Sequence, residues 1–121
     1  MFKVFVYGTL LSGEHNNRRY LQNEESKLLG EDNIMGFIMY SLGAFPAIVE
    51  AAFEEEGMII GEVWEISDNV LKRLDYLEGY PDFYNRMEVN TKFGSAYVYY
   101  QIDKPNGKLI ESGSWKEYLG R

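Results

Sequence analysis

Hydrophobic positions along the chain mark out short extended segments and one clear helix. Phe2 to Tyr7 is apolar at every position except Lys3, which predicts a strand buried on both faces and stopped by Gly8. Gly13 to Asn17 is polar and reads as a loop, and Arg18 to Gln22 as a short helix anchored by Tyr20 and Leu21. Lys27 to Tyr40 reads as extended segments broken at Gly30 and Gly36, with Phe37 to Tyr40 the clearest. Ser41 to Pro46 is rich in turn formers, Ala47 to Glu50 is a short strand, and the run Glu54, Glu55, Glu56 reads as a solvated loop tip. Met58 to Ile66 is a strand whose internal Gly61 signals a bulge or the close approach of another backbone.

The helical period begins after Ser67 and Asp68, which supply an N-cap. Val70, Leu71, Leu74 and Leu77 then form one apolar face. Gly79 suits the position after the helix, and Pro81 forbids continuation. Tyr84 to Thr91 and Ala96 to Ile102 alternate as two strands joined through Lys92-Phe93-Gly94-Ser95, a hairpin signal. Pro105-Asn106-Gly107 turns the chain again, and Ser114 to Leu119 reads as a short last helix. Six or seven strands with one good helix predict an α+β domain spanning residues 1–121, with a closed or strongly curled sheet.

Composition narrows the chemistry. Nineteen acidic against twelve basic side chains give a formal charge of -7, a field that repels phosphate backbones and gives no support for an anionic membrane, so neither nucleic acid nor membrane is an expected partner. No apolar run approaches the ~20 residues of a membrane span, and MFKVFVYGTL does not read as a signal peptide. A cytoplasmic location is the expectation. Cysteine is absent and His15 is the single histidine, which removes thiol nucleophiles, disulfides and two-histidine zinc sites. Chemistry therefore falls to carboxylates, hydroxyls, tyrosines and backbone amides.

Two places break local rules. At Tyr7-Gly8-Thr9-Leu10 a buried strand runs directly into a glycine, so the chain can turn sharply and point the N–H groups of residues 8–10 into a cavity. Converging amides of this kind bind carboxylates or a developing oxyanion. The second is Glu78, in the last helical turn, where the helix dipole disfavours an anion by about 0.3–1 kcal/mol. It follows Leu77 on the buried side, so desolvation should lift its carboxyl from about 4.3 toward neutrality, as a proton shuttle requires.

Other groups are weaker candidates. His15 with Ser12 or Thr9 lacks an acid placed to orient it. Glu62 and Glu65 fall on opposite faces of a strand, and Asp75 is turned about 60° of arc from Glu78 on the helix. Tyr97 and Tyr99, at a spacing of two, read as sheet packing.

VYGTL (6–10) and LDYLEGYPDFYNR (74–86), with LGAFPAIV (42–49) after Gly36, GEVWEI (61–66) and FGSAYVYYQ (93–101), resemble the gamma-glutamylcyclotransferase-like superfamily in order and spacing over nearly the whole chain. The tail KLIESGSW (108–115) looks like its small microbial members. YGTL resembles the gamma-glutamylamine branch rather than the YGSN of enzymes acting on gamma-glutamyl amino acids. The resemblance implies a small mixed β-barrel with short flanking helices. It further implies Tyr7, Gly8, Thr9 and Leu10 as the substrate loop, Glu78 as the catalytic carboxyl, Tyr84 on the pocket wall and Arg86 as a matching basic position. The implied reaction closes a gamma-glutamyl group onto its own α-amine, giving 5-oxoproline and a free amine without a cofactor. Two other readings stay open: a non-catalytic small-molecule binding module on the same fold, and an assembly protein whose exposed edge strands pair between copies, so that a homodimer also stays open.

Overall fold

The computed structural model describes residues Met1–Arg121. In chain order the elements are β1 (Phe2–Val6), α1 (His15–Tyr20), β2 (Ser26–Met35), β3 (Phe37–Ser41), β4 (Pro46–Glu50), β5 (Met58–Ile66), α2 (Asp68–Glu78), β6 (Asn85–Thr91), β7 (Gly94–Tyr100), β8 (Lys108–Ile110) and α3 (Trp115–Tyr118). The fold is mixed α+β, built mainly of strands. No helix is long and apolar enough to cross a membrane.

β1 lies at the centre of a five-stranded sheet of order β2-β5-β1-β7-β6, and β4-β3-β8 form a second sheet. β1 pairs antiparallel with β5 on one side and parallel with β7 on the other. A strand with neighbours on both edges and a core on both faces has no solvated side, which is why Phe2–Val6 carries almost no polar residue. Val4, Phe5 and Val6 are buried, within one apolar cluster that also holds Ile48, Val63, Leu74, Val98 and Trp115.

The closed barrel implied by the resemblance is not found: the larger sheet ends at two open edges, β2 and β6. Side chains rather than a ladder connect those edges. The Lys92 N–H donates to Asp32 Oδ2 at 2.8 Å, and the Phe93 ring rests on Gly30, where a Cβ would lie 2.7 Å from Cζ. The register of β2 against β5 shifts between Leu28 and Gly30, and a bulge of this kind bends its strand and breaks ladder pairing.

Gly30 therefore bulges a continuous β2 and does not break it into separate segments. At Gly61 the register runs on without a shift, and a Cβ there would sit 2.3 Å from the Val6 carbonyl oxygen. Close approach, not a bulge, explains that glycine. The helix expected at Arg18–Gln22 instead begins at His15, within the expected loop. Thr9 O accepts from the N–H groups of Asn16 (3.1 Å) and Asn17 (3.2 Å), so tertiary contacts start a helix that apolar periodicity does not announce. The three-residue β8, paired to β3, is too short to show alternation.

α2 follows its sequence signals. The Ser67 side chain accepts from Val70 N–H, and Gly79 closes the helix at φ 64°, its N–H returning to the Asp75 and Tyr76 carbonyls. Val70, Leu71 and Leu74 are buried. This fixes the last turn, and with it the height of Glu78, against the sheet.

Candidate active site

A cavity of about 300 Å³ opens where the end of β1, the end of α2, the β3–β4 turn and β7 meet. Its lining includes Tyr7, Gly8, Thr9 and Leu10 from the β1 loop, Glu78 from α2, and Tyr84 from the approach to β6. Tyr99, Pro46, Phe45, Phe83, His15 and Asn16 complete much of the rest. Two stretches separated by about seventy residues thus face one space, in the lower size range of small-molecule sites.

The orientation of the β1 loop follows from where its carbonyls go. Gly8 O accepts from Leu11 N–H at 3.0 Å and Thr9 O takes the two α1 amides. Leu10 O accepts from the buried Asn17 Nδ2 at 2.8 Å. Three successive carbonyls are thus engaged within the loop and by α1, while the N–H groups of Gly8, Thr9 and Leu10 have no protein acceptor. Gly8 and Leu10 are buried residues. Buried amides are nearly always paired, so a row left free beside a cavity is a donor set for a ligand oxygen.

Gly8 is bare for a further reason. A Cβ there would lie 2.7 and 2.8 Å from Pro46 Cγ and Cδ, so the glycine lets the β3–β4 turn close against the loop.

Glu78 faces the same space. Burial alone pushes its carboxyl up to about 7, with no cation or hydrogen-bond donor opposing the shift. Three tyrosines surround it, and burial, with a contribution from the Glu78 charge, raises the pKa of Tyr7, Tyr84 and Tyr99. All three stay neutral. Tyr7 OH donates to Tyr99 O (2.7 Å), its oxygen facing the Ile48 N–H, and Tyr84 OH donates to Pro46 O (2.7 Å), leaving the Tyr84 hydroxyl oxygen as an acceptor.

Residues set aside on sequence grounds take defined places. Tyr99 is a wall of the cavity, and its hydroxyl donates to Asp75 Oδ1 at 2.7 Å. Asp75 in turn forms an ion pair with Arg86. Arg86 therefore lies behind the wall rather than in the cavity. Ser12 is turned from His15 toward Glu62, to which both its N–H and its hydroxyl donate at 2.9 Å, so no nucleophile–histidine pair forms. Tyr99, Asn16 and Asn17 escape sequence reasoning because their roles arise from contacts between distant strands and loops. Phe83 and Phe45, inside the quoted motifs, could have been found there.

Comparison with known proteins shows the family. The family described as "Gamma-glutamyl cyclotransferase, AIG2-like" matches residues 4–117. A protein of Methanocaldococcus jannaschii is 38% identical over 122 residues, covering 97% of this chain and 98% of the relative. "Gamma-glutamylcyclotransferase family protein YtfP" of Escherichia coli K12 is 37% identical over 114 residues, covering 93% and 95%. The crystal structure of protein PH0828 from Pyrococcus horikoshii superposes with a TM-score of 0.83 at 34% identity, over 98% of this chain and 93% of that one. By sequence match over most of its length and by the superposed fold, the chain belongs to the AIG2-like gamma-glutamyl cyclotransferase family.

Proposed function

We propose that the protein is a cofactor-independent gamma-glutamyl cyclotransferase that converts a gamma-glutamyl amine or peptide into 5-oxoproline and the free amine. The observation that carries this reading is the pairing, across one cavity, of free amides at residues 8–10 with an unopposed carboxyl at Glu78.

The α-nitrogen of the gamma-glutamyl group attacks its own γ-carbonyl carbon. A C–N bond forms, the carbonyl becomes a tetrahedral oxyanion, and collapse breaks the bond to the leaving nitrogen. Nucleophile and electrophile belong to one molecule, and a correctly held intramolecular pair reaches effective molarities of about 10⁵–10⁸ M. The protein must hold the substrate folded and move two protons in turn from the α-nitrogen to the leaving nitrogen. The 8–10 amides hold the α-carboxylate or the oxyanion. Two protons leave the α-nitrogen, one before attack and one as the lactam N–H forms. Glu78 takes each in turn and passes it to the departing nitrogen, which leaves as an ammonium ion, so the reaction balances without water or a cofactor. A carboxyl poised near 7 suits both halves of that transfer at neutral pH. Tyr84 presents its hydroxyl oxygen to the ammonium.

The test is release of free 5-oxoproline from a panel of gamma-glutamyl amines and peptides, with Glu78→Gln alongside. The reading expects release by the wild type and none by the variant. Saturable binding of the panel with no 5-oxoproline would replace the enzyme with a binding module, in which Glu78 is a fixed partner for an ammonium group.

A further inference from the structure

Arg86 stands outside the cavity, yet it holds the helix end that carries Glu78. Its guanidinium pairs with Asp75, three residues before Glu78, and lies over the ring of Tyr80, two residues after it, with its carbon 4.4 Å from the ring centroid. The same carbon lies 4.5 Å from the centroid of the Tyr97 ring on β7. One side chain from β6 thus grips the chain on both sides of Glu78 and braces it against the sheet. α2 has no basic residue in its last turn, so Arg86 brings through space the cation that this helix end lacks. The grip extends into the cavity wall: Asp75 also accepts from Tyr99 OH, and the Tyr99 carbonyl accepts from Tyr7 OH.

We infer that Arg86 is a positioning residue for the proposed reaction, fixing the direction of the Glu78 carboxyl through Asp75 and Tyr80 and cancelling the Asp75 charge beside it. The inference rests on the proposed function for its kinetic part only. One guanidinium nitrogen, Nη1, makes the Asp75 pair, so what an arginine adds over a lysine here is a flat cation close to two tyrosine rings at once. The groups facing Glu78 are Tyr7 from the β1 loop, Tyr84 from the approach to β6 and Tyr99 from β7, with His15 of α1 on the same cavity and Asp75 on its own helix. Of these, Asp75 is the carboxylate that Arg86 neutralises.

The experiment follows the Glu78 carboxyl by carbon NMR across pH in the wild type, in Arg86→Met and in the double variant Asp75→Asn/Arg86→Met. kcat and KM for 5-oxoproline release from a gamma-glutamyl alkylamide are measured on the same proteins. In Arg86→Met the uncancelled Asp75 charge moves the Glu78 midpoint up by about half to one pH unit. kcat falls about 10- to 100-fold while KM changes little, as expected when a reacting group is misdirected but binding survives. The double variant returns the midpoint to the wild-type position and leaves kcat low, separating charge from direction. If Arg86→Met does not fold, Arg86→Lys keeps the cation without the flat guanidinium against the rings, leaving the midpoint in place and kcat intermediate. An unmoved midpoint in Arg86→Met with wild-type kcat, or equal losses in kcat, substrate affinity and melting temperature, overturns the positioning role. A wild type that releases no 5-oxoproline, with the midpoint still moving in Arg86→Met, overturns the enzyme reading and leaves the charge coupling standing.

Discussion

Two glutamates sit on opposite shoulders of the β1 loop and have been given opposite surroundings. Glu62, on β5, is buried and accepts three hydrogen bonds: Ser12 N–H and Ser12 OH at 2.9 Å, and the Trp64 indole N–H at 3.1 Å. Glu78, at the end of α2, is half-buried among tyrosines whose hydroxyls donate elsewhere, and nothing opposes the effect of burial on its carboxyl. A carboxylate surrounded by donors is a bolt. It fastens the chain just after the 8–10 amides to the sheet, and its proton has no work to do. One left without donors beside a cavity is free to exchange its proton there, and is held at a cost that the rest of the fold carries.

The widest separation between the two is expected in turnover. Glu78→Gln should lower 5-oxoproline release by at least about 10²–10⁴-fold, the usual contribution of a positioned acid–base group, to where none is detected, with circular dichroism unchanged. In the wild type, kcat/KM should fall on the acid side near pH 7 as Glu78 takes up its proton. A profile flat from pH 5 to 8 would remove the shuttle.

Stability should reverse the ranking. Glu62→Ala strands the Ser12 and Trp64 donors and is expected to cost about 3 kcal/mol, read from chemical denaturation. Glu78 acts in the other direction. Its folded pKa lies above the unfolded one, so folding takes up a proton between the two, and stability present at low pH is lost as pH rises through about 7. The loss is on the order of 3 kcal/mol. Glu78→Gln should therefore melt higher than the wild type at pH 8, with the gap closing by pH 4. A gap of equal size at both pH values would show that the carboxyl is not desolvated.

Smaller effects sharpen the picture. Gly8→Ala places its Cβ against the Pro46 ring rather than among the amides, so it should cost about 1–3 kcal/mol of stability together with substrate affinity. Lys72→Ala removes an exposed helix pair with Asp68, at 3.1 Å, and should change melting by less than about 0.5 kcal/mol.

The parts of this arrangement legible in the sequence are those set by local chemistry. β1 announces itself because burial on both faces demands an unbroken apolar run. α2 does so through Ser67, its apolar face and Gly79, and Glu78 through a charge placed where a helix end disfavours it. What stayed hidden is non-local. α1 begins at His15 because Thr9 O and Leu10 O find donors there, and no periodicity records that. Asp75, turned from Glu78 along the helix, gains its place from Arg86 and Tyr99 on other strands. The open edges at β2 and β6 depend on a bulge and on Phe93 lying over Gly30, so strand counting alone suggested closure.

The most direct test of the central claim is single-turnover release of 5-oxoproline by the wild type and Glu78→Gln, followed from pH 5 to 9 on one gamma-glutamyl amine. The account predicts a wild-type rate that rises through an ionisation close to pH 7, and a variant that binds the substrate but shows neither rate nor ionisation. A Glu78→Gln protein that forms 5-oxoproline at a comparable rate with the same pH dependence would contradict it.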